Sequence, residues 1–438
     1  MSTDPAQLDR DHLWHPFTQQ KGWCDEEPLL IERAEGSFLI DREGRRYIDG
    51  VSSLWCNVHG HRHAGIDAAV SEQLGRVAHS TMLGLSHPGG AELAARLVDL
   101  APAGISRVFY SESGSTAVEI ALKMAFQYQQ QRGGQHARRT SFVHLRDSYH
   151  GDTIGSVSVG GMDLFHSTYR PLLFQTQCAE PGDAADLERV LSVHEEEIAA
   201  VIVEPLVQGA AGMLTHPAGY LSAVRKLCDR FGVLLICDEV ATGFGRTGTM
   251  FACEQEGVAP DLLCLAKGLT GGYLPLAATL ATERIYEGFL GAPQEYRTFF
   301  HGHTYTGNPL ACAAALANLD AFESERTLER LQPKIELLEE LLSHVGAMPE
   351  VAEVRSRGFM VGIDLGEHDP ALRIGHQVTV EARERGAIIR PLSDVVVLMP
   401  PLSISEADLS KLVEITAESI EAASASAGLE STPLAQAA

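Results

Sequence analysis

The stretch Val233–Gly248, VLLICDEVATGFGRTG, and the segment Pro260–Gly268, PDLLCLAKG, decide the fold. Val233 to Cys237 and Leu262 to Ala266 are continuous apolar runs, without alternation. Strands buried on both faces of a parallel sheet read this way. Each run ends on charge: Asp238, with Glu239 beside it, closes the first, and Lys267 the second. Ligands of open α/β sheets bind beyond the carboxyl ends of such strands. Both charged groups therefore stand where a site is expected.

A single Asp or Lys at a strand end is ordinarily a solvated terminus. The pair says more. An amine there can form a Schiff base with an aldehyde cofactor, and a carboxylate can hold a pyridine nitrogen protonated. Gly243, Gly245 and Gly248 also match the dinucleotide spacing G-x-G-x-x-G, the mark of a nicotinamide-dependent oxidoreductase. That fingerprint needs its glycines in the strand-to-helix turn and a helix opening at once. Here Asp238 to Thr242 intervene, and the segment after it, Thr249 to Glu256, is short and closed by Gly257 and Pro260. The spacing matches and the context does not.

Working outward, strands alternate with helices. Ser106–Tyr110, Ser141–Leu145, Ala199–Leu206 and Leu276–Ala281 read as further strands, with helices at Pro88–Leu100, Thr116–Gln131 and Ala218–Phe231. This order predicts an α/β fold with a doubly wound, mainly parallel sheet. Beyond the Ala-rich helix after Thr306 and the helix Thr327–Val345, the pattern changes. Val351–Leu365 and Ala387–Leu398 read as strands around a helix at Gly375–Arg385, a smaller α+β unit. Residues 1–35, with Pro16 and Pro28, read as an extended arm. Gly36–Asp49 reads as a hairpin turning at D-R-E-G. The expected division is 1–63 as arm and part of a small domain, 64–325 as the large cofactor domain, and 326–420 as the C-terminal small domain. The Ala/Ser-rich tail 421–438 is expected to fray.

The 438 residues are 45% hydrophobic and 21% charged, with a net charge of −24. That sign argues against nucleic acid or an anionic membrane as partner. No apolar run reaches the length of a membrane span, and the first thirty residues hold no secretory h-region. The eight cysteines include no C-x-x-C pair, and Cys237, Cys264 and Cys312 lie in apolar segments. Buried free thiols in a reducing cytoplasm are expected.

Four other constellations carry chemistry. Ser113-Gly114-Ser115-Thr116 precedes a long helix, where exposed N–H groups favour an anion such as phosphate. It also reads as an ordinary capped turn, with Ser115 or Thr116 as cap. Tyr149-His150-Gly151-Asp152 sets an aromatic ring and an imidazole on a strand-end loop, where the ring can stack on a planar cofactor or simply pack. His59, His61 and His63, like His301 and His303, suggest a metal, but no acidic third ligand falls at the right spacing, and no metal is expected. Arg246 and Arg390 each stand among glycines, prolines or apolar residues and are candidates for gripping a substrate carboxylate.

From about His12 to Ile420 the chain resembles the class III, fold-type I aminotransferases that use pyridoxal phosphate. The segments DEVATGFGRTG and KGLTGGYLP carry this most specifically. Within the class it is most similar to the 7,8-diaminononanoate synthases of biotin biosynthesis, through HPFTQ, DGVSSLWCNVHGH, YSESGSTAVEIALKMA, YHGDTIG, EPLVQGAAGM and HGHTYTGNPLACAAA. Such enzymes convert 8-amino-7-oxononanoate to the diamine, most often with S-adenosylmethionine as amino donor. The resemblance implies that Lys267 carries the cofactor and shuttles a proton, that Asp238 pairs with the pyridine nitrogen, and that Tyr149 covers a ring face. Gly114 and Ser115 would hold the phosphate, joined by His303 and Thr304 of a neighbouring subunit, so a homodimer is implied. Arg390 would bind the substrate carboxylate, Gly302 would line the substrate site, and Glu204 and Gln208 would lie near the cofactor.

Two departures fall in the donor pocket. Phe17 stands where most of the family has tyrosine, and Leu54-Trp55 where it has paired tryptophans. A subgroup with these features resembles enzymes that use lysine as amino donor, which makes lysine a second candidate. Other ω-amino acid aminotransferases and an aminomutase share the scaffold.

Overall fold

The computed structural model describes residues 4–162 and 166–428. Its centre is a seven-stranded sheet. The order across it is Ile105–Ser111, Ala277–Thr282, Leu262–Leu265, Leu234–Asp238, Ile198–Val203, Ser141–Leu145 and Gln177–Ala179. Ala277–Thr282 runs antiparallel to both neighbours, and every other pair is parallel. The apolar runs divide their side chains between the two faces. Leu235, Cys237, Leu263 and Leu265 enter one core, and Leu234, Ile236, Leu262 and Cys264 the other. A strand packed on both faces has no polar face to show, which is why these segments lack alternation.

The helix Gly114–Arg132 covers one face through Ala117, Val118, Ala121 and Ala125. Its cap is Ser113, not Ser115 or Thr116. The Ser113 hydroxyl accepts from Thr116 N, and Thr116 Oγ1 accepts in return from Ser113 N, a reciprocal capping box.

Both ends of the chain build the remaining sheets. Ile31–Glu35, Phe38–Asp41 and Arg46–Asp49 form an antiparallel meander, and Ala387–Ile388 adds to it in parallel beside Arg46–Asp49. Glu353–Arg357, Met360–Asp364, Val395–Leu398 and Arg390–Leu392 form an antiparallel sheet. The expected α/β fold, with a smaller α+β part drawn from both termini, is what the chain adopts.

Two expectations change. The N-terminal arm is not extended throughout: Pro5–His12 and Gln20–Asp25 are helices. Asp4 caps the first, with Pro5 in its first turn, and Asp9 ties the pair together by accepting from the Trp23 indole and bonding His15. Residues 421–426, expected to fray, are helical. Helix Glu406–Ser426 runs past Ile420 and buries Ala423 and Ser424; residues 429–438 lie outside the described residues.

Candidate active site

A cavity of about 700 Å³ opens at the carboxyl ends of the central strands. Asp238 is the last residue of its strand, paired in register with Cys264, three positions before Lys267. The two charged groups predicted to converge therefore do so, and both line the cavity. Lys267 has φ 44, a left-handed conformation that a non-glycine residue holds only under constraint from its surroundings. Its Nζ lies 5.0 Å from the centroid of the Trp55 ring. Burial depresses the amine's pKa, against the carboxylates of Asp238 and Glu204, which pull it upward. A buried amine biased toward its neutral form is a nucleophile.

Asp238 is anchored on both oxygens. Oδ2 accepts from His150 Nδ1 at 2.7 Å, and Oδ1 from Val240 N at 3.0 Å. The second ring nitrogen of His150 is buried without a partner among the described residues. The sequence had marked His150 only as an imidazole on a loop. Its pairing with Asp238 joins positions 88 residues apart, which no local spacing encodes.

The floor of the cavity is a packed cradle. A Cβ on Gly114 would lie 2.5 Å from Val240 Cγ1, and one on Gly151, at φ +113, 2.3 Å from Ser115 Oγ. Only glycine fits either position. The Ser115 hydroxyl accepts from Thr153 N at 3.0 Å and so fixes the loop that carries Tyr149. The N–H groups of Gly114 and Ser115 lie in the first helical turn, where no intrahelical acceptor is available. Tyr149 donates its hydroxyl to Asp152 Oδ2 at 2.7 Å, and burial pushes its pKa upward. An N-terminal helical cradle for phosphate, a carboxylate for a ring nitrogen, an aromatic cover and a buried amine are a donor set that fits pyridoxal phosphate.

Glu204, also in the cavity, uses both oxygens on main chain. Oε1 accepts from Tyr149 N at 3.1 Å and Oε2 from Gly209 N at 2.9 Å. Burial raises its pKa to about 7. Gln208 donates to Arg146 O at 2.8 Å and is fully buried.

The remaining predicted residues lie elsewhere. Trp55 lines the cavity, while Leu54 is half exposed beside it. Phe17 and Arg390 line an adjoining cavity of about 540 Å³. Arg390 makes no ion pair among the described residues, and burial lowers its pKa. Gly302, His303 and Thr304 sit on a surface loop outside the first cavity. His303 Nδ1 bonds Glu112 Oε2 at 2.5 Å, and its Nε2 faces His301 Nε2 at 3.1 Å. No group of three or more metal-ligating side chains occurs among the described residues.

Arg246 corrects its prediction. It is 1% exposed and does not border the cavity. Its guanidinium donates to the carbonyls of Asn57 at 2.7 Å and Pro400 at 2.6 Å. It bolts the glycine turn to distant chain, and those bonds leave it ill placed to grip a carboxylate. Burial depresses its pKa to about 10.

The aminotransferase class-III family profile matches residues 21–420. An adenosylmethionine-8-amino-7-oxononanoate aminotransferase from Nitratidesulfovibrio vulgaris is 59% identical over 430 aligned residues, covering 93% of this chain and 79% of that one. The protein of the same name from Aquifex aeolicus is 51% identical, covering 94% and 96%. Among solved structures, the protein of that name from Methanocaldococcus jannaschii superposes with a TM-score of 0.93 at 45% identity, over 95% of this chain and 98% of that one. An amine transaminase from an uncultivated Pseudomonas species, in its PLP-bound form, gives 0.87 at 37% identity, over 95% and 98%. The chain belongs to the class-III aminotransferases.

Proposed function

We propose that the chain is a pyridoxal phosphate-dependent transaminase of biotin biosynthesis. It converts 8-amino-7-oxononanoate to 7,8-diaminononanoate with S-adenosylmethionine as amino donor. The observation that carries the reading is the buried Lys267 amine beside Asp238 in one cavity. The names of relatives up to 59% identical supply the substrate and donor.

When bound, the cofactor supplies an electron sink for the carbon that exchanges its amine. Lys267 Nζ would take the proton from the donor carbon in the first half-reaction and deliver one to the acceptor carbon in the second. Asp238, oriented by His150, would hold the proton of the ring nitrogen. Gly114 and Ser115 N–H would bind the phosphate, Tyr149 would cover one ring face, and Trp55 with Leu54 would form the wall toward substrate. Arg390, with no competing carboxylate, binds the acceptor's terminal carboxylate.

We read the assembly as a homodimer with shared sites. The Gly302–Thr304 loop lies outside its own cavity, which supports a reading in which it completes a partner's phosphate site. Phe300 and Tyr305, 74% and 58% exposed, are large apolar groups left uncovered beside that loop in chain order. The described free thiols support a reducing compartment, which we take to be the cytoplasm. No helix among the described residues is long and apolar enough to cross a membrane.

The test offers 8-amino-7-oxononanoate with S-adenosylmethionine or with lysine. Diamine formation with S-adenosylmethionine supports the reading. Formation with lysine alone overturns the donor, and formation with neither overturns the substrate.

A further inference from the structure

Glu204 stands just beyond the strand Ile198–Val203 and is 5% exposed. Its two oxygens reach two different segments. One holds Tyr149 N, on the loop that covers the cofactor. The other holds Gly209 N, in the turn beneath Trp55. That turn is tight against the indole, since a Cβ on Gly209 would lie 3.3 Å from Trp55 Cζ3. A second strap runs parallel to the first, from Gln208 Nε2 to Arg146 O. Two side chains thus tie segment 146–149 to segment 207–209.

A buried carboxylate is a costly way to satisfy two N–H groups. In its ionised form it is an acceptor-only group with two oxygens, and so binds both donors at once. An amide of the same shape offers one oxygen and turns N–H toward the other donor.

Resting on the transaminase reading above, we propose that Glu204 is a positioning residue that sets the gap between the Tyr149 and Trp55 rings and so selects the amino donor that fits between them. It transfers no proton and touches no reacting atom. It fixes the two walls, and Lys267 works in the space they leave.

The test uses Glu204→Gln. In the cofactor-free protein, hydrogen exchange at the Tyr149 and Gly209 amides is expected to quicken roughly tenfold to a hundredfold, while Ile198–Val203 keeps its protection. In the loaded enzyme the KM for S-adenosylmethionine is expected to rise roughly tenfold, with kcat within about threefold. Unchanged exchange at both amides overturns the clamp, and so does protection lost along the whole strand, which marks a general structural role. A fall in kcat alone overturns its part in donor selection. Exchange is read without substrate, so it decides the clamp even if the wild type proves inactive with S-adenosylmethionine and the functional reading fails. If Glu204→Gln does not fold, Glu204→Asp keeps the charge but is too short to reach both amides, and the same local pattern is expected of it. Uniform loss of protection in that variant overturns the proposal.

Discussion

His150 Nδ1 donates to Asp238 Oδ2 over 2.7 Å, with both side chains buried. The contact orients the carboxylate that faces the cavity. Without it, Asp238 retains only the Val240 main-chain donor among the described residues. His150→Ala is expected to lower kcat by roughly tenfold to a hundredfold, the range for a lost hydrogen bond to a charged group. Cofactor should still bind, with its visible band displaced. Steady-state kinetics and an absorbance spectrum of the same preparation check both halves.

Arg390 has no ion-pair partner among the described residues and lines the cavity next to that of Lys267. Arg390→Ala is expected to raise the KM for 8-amino-7-oxononanoate by roughly a hundredfold, as for a lost charge-assisted contact to a carboxylate. The half-reaction with S-adenosylmethionine should remain within about threefold of wild type. Measuring the half-reactions separately shows whether the loss is confined to the acceptor.

Acid should draw stability from the buried histidines, against the opposing effect of Glu204, whose raised pKa lets the folded chain take up a proton near 7. Burial depresses the pKa of His59 and His144 from 6.5 to about 4. Below pH 6.5 the unfolded chain binds protons that these rings refuse. Their contribution is complete above that pH and is lost as pH falls toward 4. The Tm of the cofactor-free wild type relative to its His59→Asn variant should be level at pH 7 to 8, about where unperturbed histidine is already neutral, and fall below 6.5.

The sheet was legible because burial on both faces leaves its mark residue by residue, from Leu234 to Cys237 and from Leu262 to Leu265. Asp238 and Lys267 were legible for the same reason, as charge ending an apolar run. What stayed hidden depends on chain that returns from far away. Arg246 looked like a ligand in its glycine setting, but carbonyls of Asn57 and Pro400 surround its guanidinium. Glu204 and His150 were marked without roles, because their partners come from other strand ends. The arm's helices depend on Asp9 bridging His15 and Trp23, a contact that helical periodicity does not signal.

Lys267 tests the account most directly. Its buried amine is the one group for which no neighbour in the cavity can substitute. Lys267→Ala, purified and loaded with pyridoxal phosphate, is assayed for diamine from 8-amino-7-oxononanoate and S-adenosylmethionine. The account predicts no turnover and no covalently held chromophore, in a protein of near wild-type Tm. Transamination by that variant would contradict it.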